Sequence, residues 1–536
     1  MAIWENSTPE KIGQFRQLQA QLRDRWQSID IFDRGDYDIL VVPSFSIDSK
    51  LGAKISGFLH YEERLLFSLI RLRNPQTRLI YVTSQPLCPI IIDYYLQLLS
   101  GIPFSHARDR LLLISTYDNS FKPLTQKILE RPRLIERIRR VLRPQKSYIV
   151  CYNSTWLEQQ LSLELGIPLL APSPDLLYWG SKSGSREIFA ECHLPHPDGS
   201  LQIDSVDDLV VKAVQLWERQ PQLLRMVVKL NEGFSGEGNA ILDLRPIQEF
   251  MQPDRSHDDR CNALRQQLSQ MSFQAKEETW TSFSSRIPEL GAIVEAFIEG
   301  EVKRSPSVQG YITPQGEVVI LSTHDQILGG ADGQIYLGCY FPADSAYRLQ
   351  LQQLGIKVGQ ALAARGAIER YGVDFIAVPD RDRRDRWQLQ AIEINLRKGG
   401  TTHPFMTLKL LTNGKYNNAD GLFYSPEGQP KYYISSDNLQ KPQYQGLLPN
   451  DLMDIIAKHR LHFDSSTRTG NIFHLMGSLS EFGKLGLTSI SNSRQEALTI
   501  YQRVEAALDS ETQENLQDKN SLLFSSLPIK FHYNNL

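Results

Sequence analysis

Residues 390–404 hold the side chains best suited to chemistry: Glu393 and Asn395, set between Ile392 and Ile394, and then Arg397, Lys398, Gly399 and Gly400. On an extended strand Glu393 and Asn395 face one way while both isoleucines enter the core. A carboxylate and an amide oxygen at a strand end suit a hard cation such as magnesium, which keeps phosphate or water in its remaining positions. The two cations that follow, on pliable glycine backbone, can close on the anionic group that such a metal activates. Taken alone, a surface strand of mixed polarity is the plain alternative.

A second chemical stretch begins at Met226–Leu230, an apolar strand with Lys229 inside it, and runs into Gly233, Ser235, Gly236 and Gly238. Three glycines within six residues make a loop whose backbone N–H groups can wrap phosphate oxygens while the lysine supplies a point charge. A glycine-rich hairpin with a solvated lysine is the alternative, but a lysine among apolar strand residues needs a reason. Lys182, in a Gly/Ser-rich run ahead of an apolar segment, reads by itself as a solvated lysine at a helix start. Residues 291–301 form a strand whose Ala296, Phe297 and Ile298 offer a flat apolar edge to a purine, with carboxylates at either end.

The elements that must position these groups follow from hydrophobic patterning. Apolar runs at 37–43, 78–83, 111–115 and 147–151 alternate with helical patterns at 61–72, 89–99, 123–143 and 155–165. That alternation predicts a mainly parallel, doubly wound sheet over about the first 170 residues. No Gly-x-Gly-x-x-Gly or Gly-x-x-x-x-Gly-Lys-[Ser/Thr] follows any of its strands. Three prolines at 168, 172 and 174 mark a boundary near 175. Residues 245–287 are polar, with a helix at 262–271, and read as an insertion. Later come a strand at 317–321 ending in His324, a closing strand at 486–493, a helix at 494–508 and a polar, mobile tail.

With 536 residues, 41% hydrophobic and 22% charged, the chain has room for two to four domains. A net charge of −3 gives no bulk attraction to nucleic acid. The absence of any 18-residue apolar run, of a basic and apolar leader at the start, and of paired Cys-x-x-Cys among five scattered cysteines predicts a cytoplasmic protein with reduced thiols and no membrane partner.

In order along the chain, the motifs at 228–240, 295–300 and 392–397 resemble the ATP-grasp superfamily of carboxylate–amine ligases. Within it they are most similar to peptide ligases of the pheganomycin type and their bacterial relatives. The resemblance implies an α/β and α+β architecture: a pre-ATP-grasp domain at 1–175, a first ATP-grasp subdomain at 176–300 with the mobile loop, a second subdomain and closing segment at 301–508, and a polar tail at 509–536. It implies that Lys182 and Lys229 hold ATP phosphates under the 233–240 loop, that Glu295 binds the adenine amino group beside the hinge 296–298, and that Glu301 binds the ribose. Asp374, Glu393 and Asn395 become ligands for two magnesium ions, with manganese as a substitute, and Arg397 steadies the transferred phosphoryl group. Leu396 stands where many members have proline, and the Lys398–Gly400 run departs from the D-alanine ligase pattern, so the acceptor pocket is left open. Arg304, His324, Lys398 and Gly399 are the candidates for contact with the substrates. The implied activity is amide or peptide bond formation between small-molecule carboxylate and amine through an acyl phosphate, releasing ADP and phosphate. An ATP-grasp carboxylase or cyclising enzyme and a non-catalytic ATP-binding regulator are the rival readings; oligomeric state stays open, with a homodimer as one option.

Overall fold

The computed structural model describes residues 8–30, 35–47, 49–231, 238–274, 278–329, 335–380, 383 and 386–524. Four strands, β1 (Asp38–Val42), β2 (Arg78–Thr83), β3 (Leu111–Ser115) and β4 (Ser147–Cys151), pair in parallel in the order β3-β2-β1-β4. All five residues of β1 are buried, as a strand covered by helices on both faces requires. The expected helix at 123–143 is two helices, Leu124–Leu129 and Pro132–Val141, because Pro132 has no N–H to continue the first. Residues Trp156–Leu165 form a helix opened by a Thr155/Glu158 capping box and closed by Gly166 at φ +67°.

A second sheet is antiparallel: β5 (Arg225–Leu230), β6 (Asn239–Asp243), β7 (Ser272–Phe273) and β8 (Ala292–Ala296), in the order β7-β6-β5-β8. The helices Val206–Arg219 and His257–Gln267 contribute to its core, where Trp217 and Val214 meet Met226, Val228 and Leu264. Residues 245–287 are therefore not an insertion. Their sparse apolar side chains, Ala263, Leu264, Leu268, Met271 and Phe283, are buried in that core, and only the outward faces are polar.

The third sheet has ten strands: β9 (Pro306–Ile312), β10 (Val318–Gly329), β11 (Ile335–Phe341), β12 (Glu369–Pro379), β13 (Trp387–Asn395), β14 (Lys415–Asn417), β15 (Leu422–Tyr424), β16 (Pro430–Gln440), β17 (Gly470–His474) and β18 (Lys484–Ser491). The path runs β13-β12-β9-β10-β11-β16-β15-β14, with β18 also beside β16 and β17 beyond it. The last helix runs Arg494–Phe524, past the expected end at 508 and into the region expected to be a mobile tail. One continuous apolar core joins the N-terminal region to this sheet: Leu65, Leu66 and Leu69 share it with Phe405, Phe473 and Leu487. Among the described residues no helix is long and apolar enough to cross a membrane, and all five cysteines are free thiols.

Candidate active site

The pairing of β12 with β13 sets Asp374 directly opposite Glu393 and Gly372 opposite Asn395, so the three oxygen-bearing side chains share one face. A bulge separates the Glu393 and Ala391 pairings. It corrects one expectation: Ile394 is buried, but Ile392 sits at the irregularity and lines the cavity instead of entering the core. Asp374 Oδ1 accepts from Gln326 Nε2 at 2.7 Å and its Oδ2 from Asn395 Nδ2 at 2.9 Å. Burial, reinforced by the charge of Glu393, pushes the Asp374 carboxyl up to about 7. Two facing carboxylates with an amide oxygen beside them make an all-oxygen donor set at a cavity wall, and that set fits magnesium.

Lys182 reaches the same place from another element. Ser181 caps the helix Lys182–Glu191 by accepting from Gly184 N at 3.1 Å. Ile394 N donates to Ser185 Oγ at 2.9 Å, and Ser183 donates through both N and Oγ to Asn231 Oδ1, at 3.0 and 2.7 Å. A Cβ at Gly184 would run into the Tyr178 carbonyl oxygen, so this turn requires glycine. The helix start is thus pinned to both sheets, and Lys182 Nζ lies 2.5 Å from Glu393 Oε1. Burial alone would raise the Glu393 carboxyl, but Lys182 beside it keeps it below the usual range.

On the second sheet, Lys229 Nζ is 2.6 Å from Glu295 Oε2, and Arg186 Nη1 is 2.7 Å from Glu295 Oε1. Glu295 is 2% exposed. Against a burial penalty that would raise its carboxyl, Lys229 and Arg186 hold it below its ordinary value. Its two carboxylate oxygens are each committed to a cation. Phe297 follows with Arg225 3.9 Å and Lys303 4.1 Å from its ring centroid.

These groups line one cavity of about 850 Å³. Ala296, Phe297 and Ile298 form one wall with Val227, Ile376 and Ile392, giving an apolar slot at the edge of the second sheet. Lys182, Lys229, Asp374, Glu393, Asn395 and Arg397 form the polar wall beside it. Gly238, Arg304 and Gly399 also line the cavity. Gly233, Ser235 and Gly236 lie outside the described residues. Glu301 is exposed and away from the cavity.

Two of the substrate candidates are placed elsewhere. His324 is fully buried, its Nε2 is 2.6 Å from the Tyr433 hydroxyl, and burial pushes its imidazole down to about 3. Lys398 is buried against Glu369 with a 3.1 Å ion pair. On β10 it is Asp325 and Gln326, not His324, that line the cavity. Patterning did not single out Arg186, Arg64, Tyr152 or Arg494, and Gln326 entered only within the polar stretch 321–326.

Residues 175–419 match the model of the IQCH-like ATP-grasp family, and residues 451–504 match the PGM1 C-terminal domain. The chain is 29% identical over 485 residues to an L-propargylglycine–L-glutamate ligase of Streptantibioticus cattleyicolor, covering 89% of this chain and 94% of that protein. It is 22% identical over 534 residues to the IQ motif-containing protein H of Danio rerio, covering 92% of this chain and 50% of that protein. In fold it is similar to the biotin carboxylase domain of Hydrogenobacter thermophilus 2-oxoglutarate carboxylase, solved with magnesium ADP and bicarbonate, at a TM-score of 0.50 and 14% identity over 88% of this chain and 89% of that one. The ATP-grasp match thus covers the second sheet and the third as far as β14, and a ligase aligns with 89% of the chain.

Proposed function

We propose that this enzyme joins the carboxylate of one amino acid or small peptide to the amine of another. One observation carries the reading: a single cavity of about 850 Å³ holds an apolar slot, two lysines, an all-oxygen donor set and Arg397. A volume of that order takes a nucleotide together with small substrates. The relative from Streptantibioticus cattleyicolor, whose name pairs propargylglycine with glutamate, supports an amino-acid pair as the substrate class.

In this reading the slot at 296–298 takes the adenine, and Lys182 and Lys229 hold the phosphates. Asp374, Glu393 and Asn395 would hold magnesium, as two ions with manganese as a substitute, and the metal's part is to neutralise charge on the phosphates. Glu295 aims Lys229 and Arg186, and the lone pairs its oxygens keep would accept from the adenine amino group beside the hinge backbone. Arg397, which makes no ion pair among the described residues, is available to the phosphoryl group as it moves to the substrate carboxylate. The carboxylate oxygen attacks the γ-phosphorus and ADP leaves. The amine nitrogen then attacks the acyl carbon, gives up a proton, and phosphate departs. Arg304 and Gly399 remain substrate contacts; His324 and Lys398 act inside the fold.

The partition into 1–175, 176–300 and 301–508 serves as a functional one: the first closes the cavity, the second carries the nucleotide edge and the third the metal wall. The surroundings are cytoplasmic and the assembly a homodimer, which light scattering of the purified chain checks. The decisive assay is ADP and phosphate release with Mg-ATP across pooled amino acids, small peptides and bicarbonate. Amino-acid-stimulated release that vanishes in Glu393→Ala is expected. Stimulation by bicarbonate without an amine would replace the ligase reading with a carboxylase one, and a fully active Glu393→Ala would remove the metal wall from the reading.

A further inference from the structure

The cavity is closed by the N-terminal region. Arg64, on the 3₁₀ helix Phe58–Arg73, and Tyr152, just after β4, both line it. Arg64 is 6% exposed, yet few of its five donors are committed. Its Nη2 donates to Asp437 Oδ2 at 2.7 Å, its Nη1 donates to the Tyr152 hydroxyl at 3.2 Å, and its buried Nε has no partner. The guanidinium carbon sits 3.9 Å from the Tyr61 ring centroid, so the fork is held in one orientation. Asp437 is shared with His403, whose Nε2 lies 2.8 Å from Asp437 Oδ1. Burial would raise Asp437, but His403 and Arg64 hold it well below the usual carboxylate range, so it stays ionised and fixes Arg64 in place.

This wall adjoins the loop that follows Arg397. The loop after Arg397 is tied to it, since Lys398 N donates to the Tyr152 carbonyl at 3.2 Å, and Gly399, Gly400 and Thr401 line the cavity between. Nη1 and Nη2 each carry a second hydrogen beyond those given to Tyr152 and Asp437, and at the cavity wall these are open to a substrate carboxylate.

We propose that Arg64 anchors the carboxylate of the amine-donating substrate, which is therefore an amino acid or a peptide with a free C-terminal carboxylate and not a simple amine. The proposal rests on the ligase reading. Tyr152 and Asp437 act as positioning residues for the fork. The anchored carboxylate takes no part in bond formation and persists in the product.

Hydroxylamine separates the two halves of the reaction, because it intercepts an activated carboxylate without needing an amine site. The 536-residue chain is given Mg-ATP, the pooled amino acids and, in one arm, hydroxylamine. Arg64→Gln is expected to keep hydroxamate formation within about twofold of wild type while amino-acid coupling falls roughly 30- to 100-fold, the loss of a charge-assisted hydrogen-bond pair. Coupling that survives in Arg64→Gln, or falls in step with hydroxamate in a variant that melts like wild type, overturns the proposal. Should removal of the Asp437 partner prevent folding, wild type alone decides: the α-amides of the same amino acids are expected to couple at least tenfold more slowly than the free acids, and equal rates overturn it. A wild type that forms no hydroxamate at all condemns the ligase reading instead, so the two failures are distinguishable.

Discussion

Asp374→Asn separates the stability of the metal wall from its activity. Asp374 titrates near 7 because burial and the facing Glu393 disfavour its charge. The folded state therefore binds the proton more tightly than the unfolded chain, whose value is 3.8. The sign follows: below 3.8 both states are protonated and nothing is lost, while between 3.8 and about 7 the protein loses stability progressively, and above 7 the whole penalty is present. A carboxyl moved that far costs roughly 4 kcal/mol above pH 7 in the absence of a bound cation. Asparagine removes the penalty. It also turns one of the two accepting oxygens into a donor facing Gln326 Nε2 or Asn395 Nδ2, which returns roughly 1 to 2 kcal/mol. Without nucleotide, Asp374→Asn should therefore melt above wild type at pH 8 by the equivalent of about 2 kcal/mol. The advantage should vanish or reverse by pH 4, while ligase turnover falls at least about 10³-fold. Wild-type affinity for Mg-ATP should weaken about tenfold per pH unit below 7 and level off above it. A variant that melts at or below wild type at pH 8, together with a Mg-ATP affinity flat from pH 6 to 8.5, would refute the account of a charge-strained wall.

Two further substitutions test the scaffold. Gly184→Ala drives a methyl group into the Tyr178 carbonyl and must shift the helix that carries Lys182, so we expect a loss of about 2 to 3 kcal/mol and weaker ATP binding, read by thermal melting and nucleotide titration. His324→Phe removes the contact to Tyr433 in a buried aromatic cluster with Phe341; about 1 to 2 kcal/mol of stability should go while kcat and every substrate KM stay within twofold, since the imidazole does not reach the cavity.

The shared face of Glu393 and Asn395 was legible because it is local. Glu393 and Asn395 lie two residues apart on one strand, and an alternation needs no knowledge of the rest of the chain to put them on one face. What patterning could not supply was the bulge that turns Ile392 outward, since an irregular pairing belongs to two strands at once. His324 failed for a related reason. Strand β10 is covered on one face by the helix Arg348–Ala364 and forms part of the cavity wall on the other, so apolar content does not tell which of His324, Asp325 and Gln326 points inward. The helix beyond 508 was missed because polarity was equated with disorder, although Glu, Gln and Leu there are good helix formers.

Arg64 marks the limit of such reading. Its partner Asp437 is 373 residues away, and its helix packs against α-helical residues 402–412 and the β17–β18 end of the third sheet in one shared core. Nothing in the run Tyr61–Leu72 distinguishes an arginine at a cavity wall from one that snorkels to solvent. The fold resolves the ambiguity through cost: a guanidinium buried to this degree needs a carboxylate, and Asp437 in turn draws on His403. A network that removes three ionisable side chains from water is an expensive way to build a wall. Its expense is reasonable if the wall must hold one guanidinium still while an amine is delivered to an acyl phosphate that water would hydrolyse. The N-terminal region, which has no phosphate-binding fingerprint of its own, then contributes what the two ATP-grasp sheets lack: the choice of what is joined.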